Sequence, residues 1–407
     1  MIDRHQLSRV ADGLAIAIAI ALPWSTSATG ILLVLWLLAL VAALNWADLR
    51  RELLTPAGGL PVLLVLFALL GMAWADATLA ERGKALEHFL KLLAIPLLLM
   101  QFRRSDKGFW VLGGYLVSCI VLLAASTLVE FVPGFSFVAM KYGHVLVKNE
   151  ATQSGEFATC IFGMIFLAYE SMARRQWLWF AVLSTLILGM LANIVYVATG
   201  RTALVVMMVL FVLFVAKKPG MRGKLVLISV AIVLVAVAAL SSSFLRGRVT
   251  QIWTDYQKYE SVDARNSSGE RVEFAKKSMA FIRAAPVIGH GTGSIPSLFA
   301  KSSIGKTGAK GSATTNPHNQ TLAVAIQLGL IGAVILWAMW IAHLLLFRGG
   351  GLAEWIGLVV VVQNIVGSMF NSHLLDFVQG WVYVVGVGVA GGIALKNRAA
   401  ARAAGAP

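Results

Sequence analysis

Long apolar runs, repeated along the whole chain and divided by short charged connections, leave one architecture open. Stretches near 11–24, 28–46, 60–76, 86–101, 108–132, 155–173, 177–198, 201–216, 223–244, 318–347, 352–370 and 377–396 are each long enough, or nearly so, to cross a bilayer core. In lipid every backbone polar group needs a partner within the protein, and runs of this length supply it as helices. The expectation is an all-α polytopic membrane protein with about twelve transmembrane helices. It forms a single membrane domain over 1–407 with no separable soluble module. Hydrophobic residues at 58% and charged residues at 13% exclude an ordinary soluble domain.

The formal net charge of +15 raises nucleic acid as a partner. The charges sit at helix ends, however, and make no soluble basic domain, so membrane lipids are expected and nucleic acid is not. With odd-numbered connections placed outside, the short connections carry 17 Lys and Arg inside against 6 outside. That asymmetry puts both termini in the cytoplasm. The first apolar segment follows Arg4 and Arg9 as a signal peptide would, but it runs directly into the second and is expected to be retained. Cys119 and Cys160 both fall inside spans, so no disulfide framework or Cys-based metal site is indicated.

One connection breaks the charge rule. The loop 245–317, between the ninth and tenth spans, carries eleven Lys and Arg against five Asp and Glu on the outer face. Long loops translocate largely regardless of charge, so it leaves the orientation intact. A loop of this length in so compact a chain points to function, and its charge points to an anionic ligand. Within it, Ser267-Ser268-Gly269-Glu270 reads as a capping box that opens a helix through about 285. Val272, Ala275, Met279 and Ile282 recur at helical spacing and give that helix an apolar face. Pro286 stops it, Gly289 to Gly293 make a turn, and the Gly, Ser and Lys content of 301–315 reads as a mobile segment that orders with substrate.

Asn316-Pro317-His318-Asn319 then opens the tenth span. Asn316 suits an N-cap and Pro317 the first helical position, which puts His318 in the first turn. There the helix dipole and free N–H groups favour anions and a neutral imidazole, the form a general base needs. Gly329 and Gly332 lie about three and four turns on, on the same side, where small residues let a helix pack closely beneath the ring.

These residues carry a resemblance. His318-Asn319, nine residues, Gly329, two residues and Gly332 resemble the signature of the O-antigen ligase family, which is related to O-antigen polymerases and bacterial O-oligosaccharyltransferases. Thr199-Gly200-Arg201-Thr202 resembles a second family stretch. Ser268-Gly269-Glu270-Arg271 with Pro286-Val287-Ile288-Gly289-His290-Gly291 resembles a third. The resemblance implies a GT-C-like inverting glycosyltransferase of the bacterial inner membrane with its active site on the periplasmic face. The implied donor is an undecaprenyl-diphosphate-linked polysaccharide and the implied acceptor a sugar hydroxyl of lipid A–core. It also implies a metal-independent reaction, and the outer loops hold no Asp-x-Asp-type cluster for a divalent cation. An already activated donor requires no cofactor.

His318, Arg201 and Arg271 are therefore the candidate catalytic residues. His318 would deprotonate the acceptor hydroxyl or position the diphosphate. The arginines would bind phosphate oxygens bidentately in place of a metal. The plainer readings are a capping histidine, an arginine snorkelling to headgroups, and salt bridges of Arg271 with Glu270 or Glu273. Candidate substrate-binding residues are Arg265, the face Lys84, His88 and Lys91 on the fourth span, Asn319, and Asp376, which with His373 could orient His318. Glu87–Lys91 can equally be a structural i,i+4 pair. For Lys141, His144 and Lys148 a solvated loop face is the simpler reading.

Within the family, an O-antigen polymerase is the nearest rival. A protein O-oligosaccharyltransferase is the next, though such enzymes are expected to carry a further C-terminal region. A lipid-linked glycan flippase would place ionisable residues and broken helices near mid-membrane.

Overall fold

The computed structural model describes residues 4–132, 145–217, 220, 223–224, 228–235, 247, 254–261 and 263–405. Among these residues all regular structure is helical and none is strand. The helices are α1 (Arg4–Ala21), α2 (Thr26–Ala42), α3 (Trp46–Leu53), α4 (Pro56–Gly71), α5 (Leu79–Leu90), α6 (Ala94–Arg104), α7 (Gly108–Phe131), α8 (Glu150–Ala173), α9 (Trp177–Tyr196), α10 (Arg201–Lys217), α11 (Ser267–Ala284), α12 (Ile295–Ser303), α13 (Gln320–Leu346), α14 (Leu352–Gly367) and α15 (Phe377–Ala403). A 3-10 turn, Lys91–Leu93, joins α5 to α6.

Among the described residues six helical stretches are long and apolar enough to cross a membrane, or up to seven if α2 and α3, bent by 114°, form one span. The chain is thus a polytopic membrane protein. The expected ninth span, 223–244, lies largely outside the described residues, as do Lys141 and His144. Lys148 is described and is not a solvated charge: its ammonium donates to the carbonyl of Leu22 at the end of α1. Cys119 and Cys160 are buried and free.

The bundle is held by close approach of backbones rather than by bulk alone. On α15, Gly388, Gly391 and Gly392 meet Leu98, Leu99 and Phe102 of α6 so tightly that an added Cβ would lie 2.4–2.7 Å from their side chains. At the C-terminal ends of α13 and α15, away from the loop, charges pair off. Arg103 holds the fully buried Glu52 at 2.8 Å, Lys396 pairs with Asp106, and Arg398 donates to the Leu346 carbonyl.

At the other end α11 and α12 build a small second core. Phe274, Ile295 and Phe299 pack on Ala323 and Ile326 of α13. The face of α11 that packs down is only partly the expected one: Ile282 packs against this core, but the face is turned away from Met279. Met279 is 44% exposed, whereas Phe274, Lys277 and Ser278 are buried and Phe281 packs edge-on to Phe299 at 5.2 Å. Aromatic bulk at 274 and 281 outweighs the smaller apolar residues that set the sequence periodicity. Asn266, not Ser267, caps the helix, accepting from the Gly269 amide.

Segment 301–315 is tied down rather than free. The Lys277 ammonium donates to Ser303 Oγ at 2.9 Å and to the carbonyls of Lys310 and Ser312 at 2.7 and 3.0 Å. Ser312 in turn donates to Glu270. Lys277→Met is expected to strand those acceptors, at about 1–3 kcal/mol per buried group. Limited trypsin digestion should then cut after Lys306 and Lys310 several times faster than in the parent. Equal rates would remove Lys277 as the strut.

The largest departure from expectation is in α13. Gly329 has φ 63° and ψ −164°, so the helix is broken there. The segment 286–293 lies in the break. The amides of His290 and Gly291 donate to the carbonyls of Ile326 and Gln327, and the amides of Leu330 and Ile331 donate to those of Pro286 and Val287. The Gly293 amide takes the Gln327 side chain at 2.8 Å. Polar groups released by the break are thereby satisfied, as a membrane protein requires. Gly329 therefore receives the loop instead of lying on a stripe beneath the imidazole.

Candidate active site

His318 lies outside the helix it was expected to open. Asn319 is the N-cap of α13, its Oδ1 accepting from the Leu322 amide at 3.0 Å while its Nδ2 donates to the Met369 carbonyl at 3.2 Å. Asn316 closes a turn instead of a helix, its Oδ1 accepting the His318 amide at 2.9 Å. His318 occupies the left-handed region, φ 56°, a conformation that costs a non-glycine residue on the order of 1–3 kcal/mol. Such a cost is tolerated where the surroundings fix the residue, and they do. The ring stacks on Phe274 with centroids 6.2 Å apart at 23°, and Nδ1 lies 3.2 Å from Asn371 Oδ1.

Two of the first helical amides of α13 are already taken. Ser368 accepts from the Gln320 amide and Asn319 from that of Leu322. His318 is nonetheless kept neutral, for another reason. Burial lowers its pKa below the usual 6.5, and the charge of Arg271 lowers it further.

Two cavities meet at this histidine. One, of about 440 Å³, sinks between the membrane helices. It is walled by Glu150 and Thr152 of α8, Thr202 and Val206 of α10, and His373 and Asp376 ahead of α15. Its floor is neutral and polar: Gln363 donates to the Gly155 carbonyl and to Gln379, which donates to the Thr152 carbonyl. The other, about 470 Å³ and more open, lies under the loop helix between Arg265, Ser267, Glu270 and Phe274. Among the described residues only His318 and Arg271 line both.

Arg271 is held by its guanidinium, which donates to the Phe370 carbonyl at 3.1 Å. Burial of its inner face and then the charge of Arg201 hold its pKa below the usual value, yet a guanidinium stays charged at neutral pH. Arg201 is the exposed first residue of α10, beside the wall residue Thr202. The turn that positions it is fixed by Gly200, where an added Cβ would lie 2.0 Å from Ser154 Oγ on α8.

The remaining expected residues divide. Arg265 lines the outer cavity and pairs with Glu270 at 2.9 Å, though it is 69% exposed. Asp376 lines the inner cavity and caps α15 through the Gln379 amide. Asn319 lines neither cavity and is occupied as a cap. Of the face on α5 and the following turn, Lys84 and His88 line neither cavity. Lys91 reaches the site indirectly, donating to the Asp376 carbonyl at 2.9 Å. His373 lines the inner cavity but is not the partner of His318. It is buried, its pKa is pushed down to about 4, and its Nδ1 has no partner among the described residues. The residue at His318 Nδ1 is Asn371, which no motif singled out. Among the described residues no three His, Cys, Asp or Glu side chains are grouped as metal ligands.

The chain's relationships agree with this geometry. Residues 186–337 match the family model described as O-Antigen ligase, a stretch that contains Arg201, Arg271, His318 and the break at Gly329. No curated protein matches the chain.

Proposed function

We propose, from a chain whose residues 186–337 belong to the O-antigen ligase family, that this protein transfers polysaccharide from undecaprenyl diphosphate to a sugar hydroxyl of lipid A–core. The family supports a glycosyltransferase of the ligase and polymerase kind in a membrane. The finer reading rests on one observation: His318 and Arg271 border a cavity among the membrane helices and a second one under the loop. A lipid-borne donor enters from the bilayer side, and its diphosphate meets Arg271 and Arg201. The acceptor sugar enters from the loop side. The reacting bond then lies between them, at the imidazole.

His318 takes the hydroxyl proton while the oxygen attacks the anomeric carbon on the face opposite the diphosphate, so configuration inverts. The guanidinium groups stabilise charge that grows on the departing diphosphate, a form of fixed electrostatic help aimed at where charge develops. On this reading the site faces the periplasm and both termini lie in the cytoplasm, as the Lys and Arg asymmetry of the short connections supports. Lys91 and Asp376 shape the inner end of the diphosphate site, and Arg265 the outer.

The reading is tested by transfer from a defined lipid-linked donor to purified lipid A–core with EDTA present. Product with inverted linkage is expected; no product, or dependence on a divalent ion, counts against it. A deletion strain separates ligase from polymerase. Bare core with accumulated lipid-linked long chains marks a ligase, and core bearing single repeats marks a polymerase.

A further inference from the structure

Asn371, in the connection between α14 and α15, has an amide whose orientation is fixed by its neighbours. Its Oδ1 accepts the Ser372 backbone amide at 2.9 Å. A backbone amide only donates, so the atom facing it is the oxygen and not the nitrogen. The same oxygen accepts from Asn316 Nδ2 at 3.3 Å and faces His318 Nδ1 at 3.2 Å. An amide oxygen has no proton to give, so Nδ1 must carry one. In the neutral ring the lone pair is then on Nε2. Among the described residues the hydrogen-bond contact of the His318 ring is the one at Nδ1, which leaves Nε2 open, and the ring borders both cavities.

We propose, resting on the reading above, that Asn371 is a positioning residue: it locks His318 in the Nδ1–H tautomer and leaves Nε2 to take the acceptor's proton. As the acceptor oxygen bonds to the anomeric carbon, its proton passes to Nε2. The bond from that carbon to the diphosphate oxygen breaks, and its electron pair leaves with the diphosphate. The imidazolium keeps its Nδ1–H on Asn371 and later gives the Nε2 proton to solvent.

An amide suits this place better than a carboxylate. Arg271 and Glu270 of α11 act on the ring, with Arg201 behind Arg271 and Arg265 across the outer cavity. Glu150, His373 and Asp376 face it across the inner cavity. A carboxylate at 371 would stabilise the imidazolium and would be drawn to Arg271. The neutral amide orients the ring without raising its basicity into the range where it is protonated at rest.

The test uses the full chain, 15N-labelled at its histidines, in nanodiscs. The His318 signals are assigned by their loss in His318→Ala. At neutral pH a protonated Nδ1 and an unprotonated Nε2 are expected, with no substrate needed. Asn371→Leu should mix the tautomers and lower kcat by about 10²- to 10⁴-fold while leaving the donor KM within about twofold. Asn371→Asp keeps the hydrogen bond and adds charge, so the acid limb of the pH–rate profile should move up by about 1–3 pH units. Should Asn371→Leu fail to fold, the parent spectrum and the Asp variant still decide. A parent ring protonated on Nε2, or Asn371→Leu with parental kcat and pH profile, overturns the positioning role and leaves the enzyme standing. A parent chain that transfers no glycan overturns the enzyme and the proton step, whatever the tautomer.

Discussion

His318→Ala is expected to bind lipid-linked donor as the parent does and to transfer it about 10²- to 10⁴-fold more slowly. The substitution leaves Arg271 and Arg201 in place, so the diphosphate keeps its cations. What is lost is the one imidazole that, among the described residues, borders both cavities. Arg271→Ala should behave differently, weakening donor binding and lowering kcat together, because a cation on the leaving group acts before and during bond breaking. Equilibrium binding of donor in detergent and single-turnover transfer separate the two. The pH profile follows from the sign of the His318 shift. Burial, then Arg271, lowers its pKa below 6.5, so the ring is neutral at pH 7, and transfer should decline only as pH falls through that lowered value. Parental turnover by His318→Ala would remove the residue from the chemistry altogether.

What the sequence made legible, and what it concealed, follows from the range of the interactions. Apolar runs report a preference for a nonpolar surrounding residue by residue, so helices stand at most of the expected spans among the described residues, six or up to seven of them long and apolar enough to cross a membrane. Arg201, Arg271 and His318 stood out because each sits in a short motif, and the fold sets Arg271 and His318 on the border of the same two cavities. Which asparagine caps α13 was not legible: Asn316 and Asn319 are both good caps three residues apart. The choice is made by Asn371, Met369 and Ser368, which arrive from the far side of α14. The buried face of α11 was partly misread for a related reason. Its periodicity was judged by apolar character alone, while Lys277 is buried by three acceptors on a segment more than twenty residues away. Asn371 had no local signature at all. A lone Asn ahead of a His in a short connection acquires meaning only once the fold sets it against His318.

Gly329→Ala should be among the most damaging single substitutions in the molecule, although it adds one methyl group far from any reacting atom. That methyl would sit 2.1 Å from the Val287 carbonyl oxygen and 2.6 Å from the Ile288 nitrogen, both backbone atoms that cannot rotate aside. The backbone values there, φ 63° and ψ −164°, fall in a region essentially confined to glycine, at a further cost on the order of 1–3 kcal/mol. Relief requires the helix to straighten or the segment 286–293 to withdraw, and either unmakes the hydrogen bonds that join Pro286, Val287, His290 and Gly291 to α13. α11 immediately precedes that segment and carries Arg271 and Phe274, so the wall of the outer cavity moves with it. The expected result is a destabilisation of about 3–5 kcal/mol, comparable to the worst core mutations, together with lost transfer. Gly163→Ala in α8, where nothing among the described residues beyond the helix's own local backbone and the adjoining residues comes within 4 Å of the added carbon, is the matched control and should melt at or slightly above the parent. If Gly329→Ala melts with the control and transfers glycan at the parental rate, the broken helix is incidental. The link between the glycine after His318 and the proline–glycine stretch before it would then be packing without consequence.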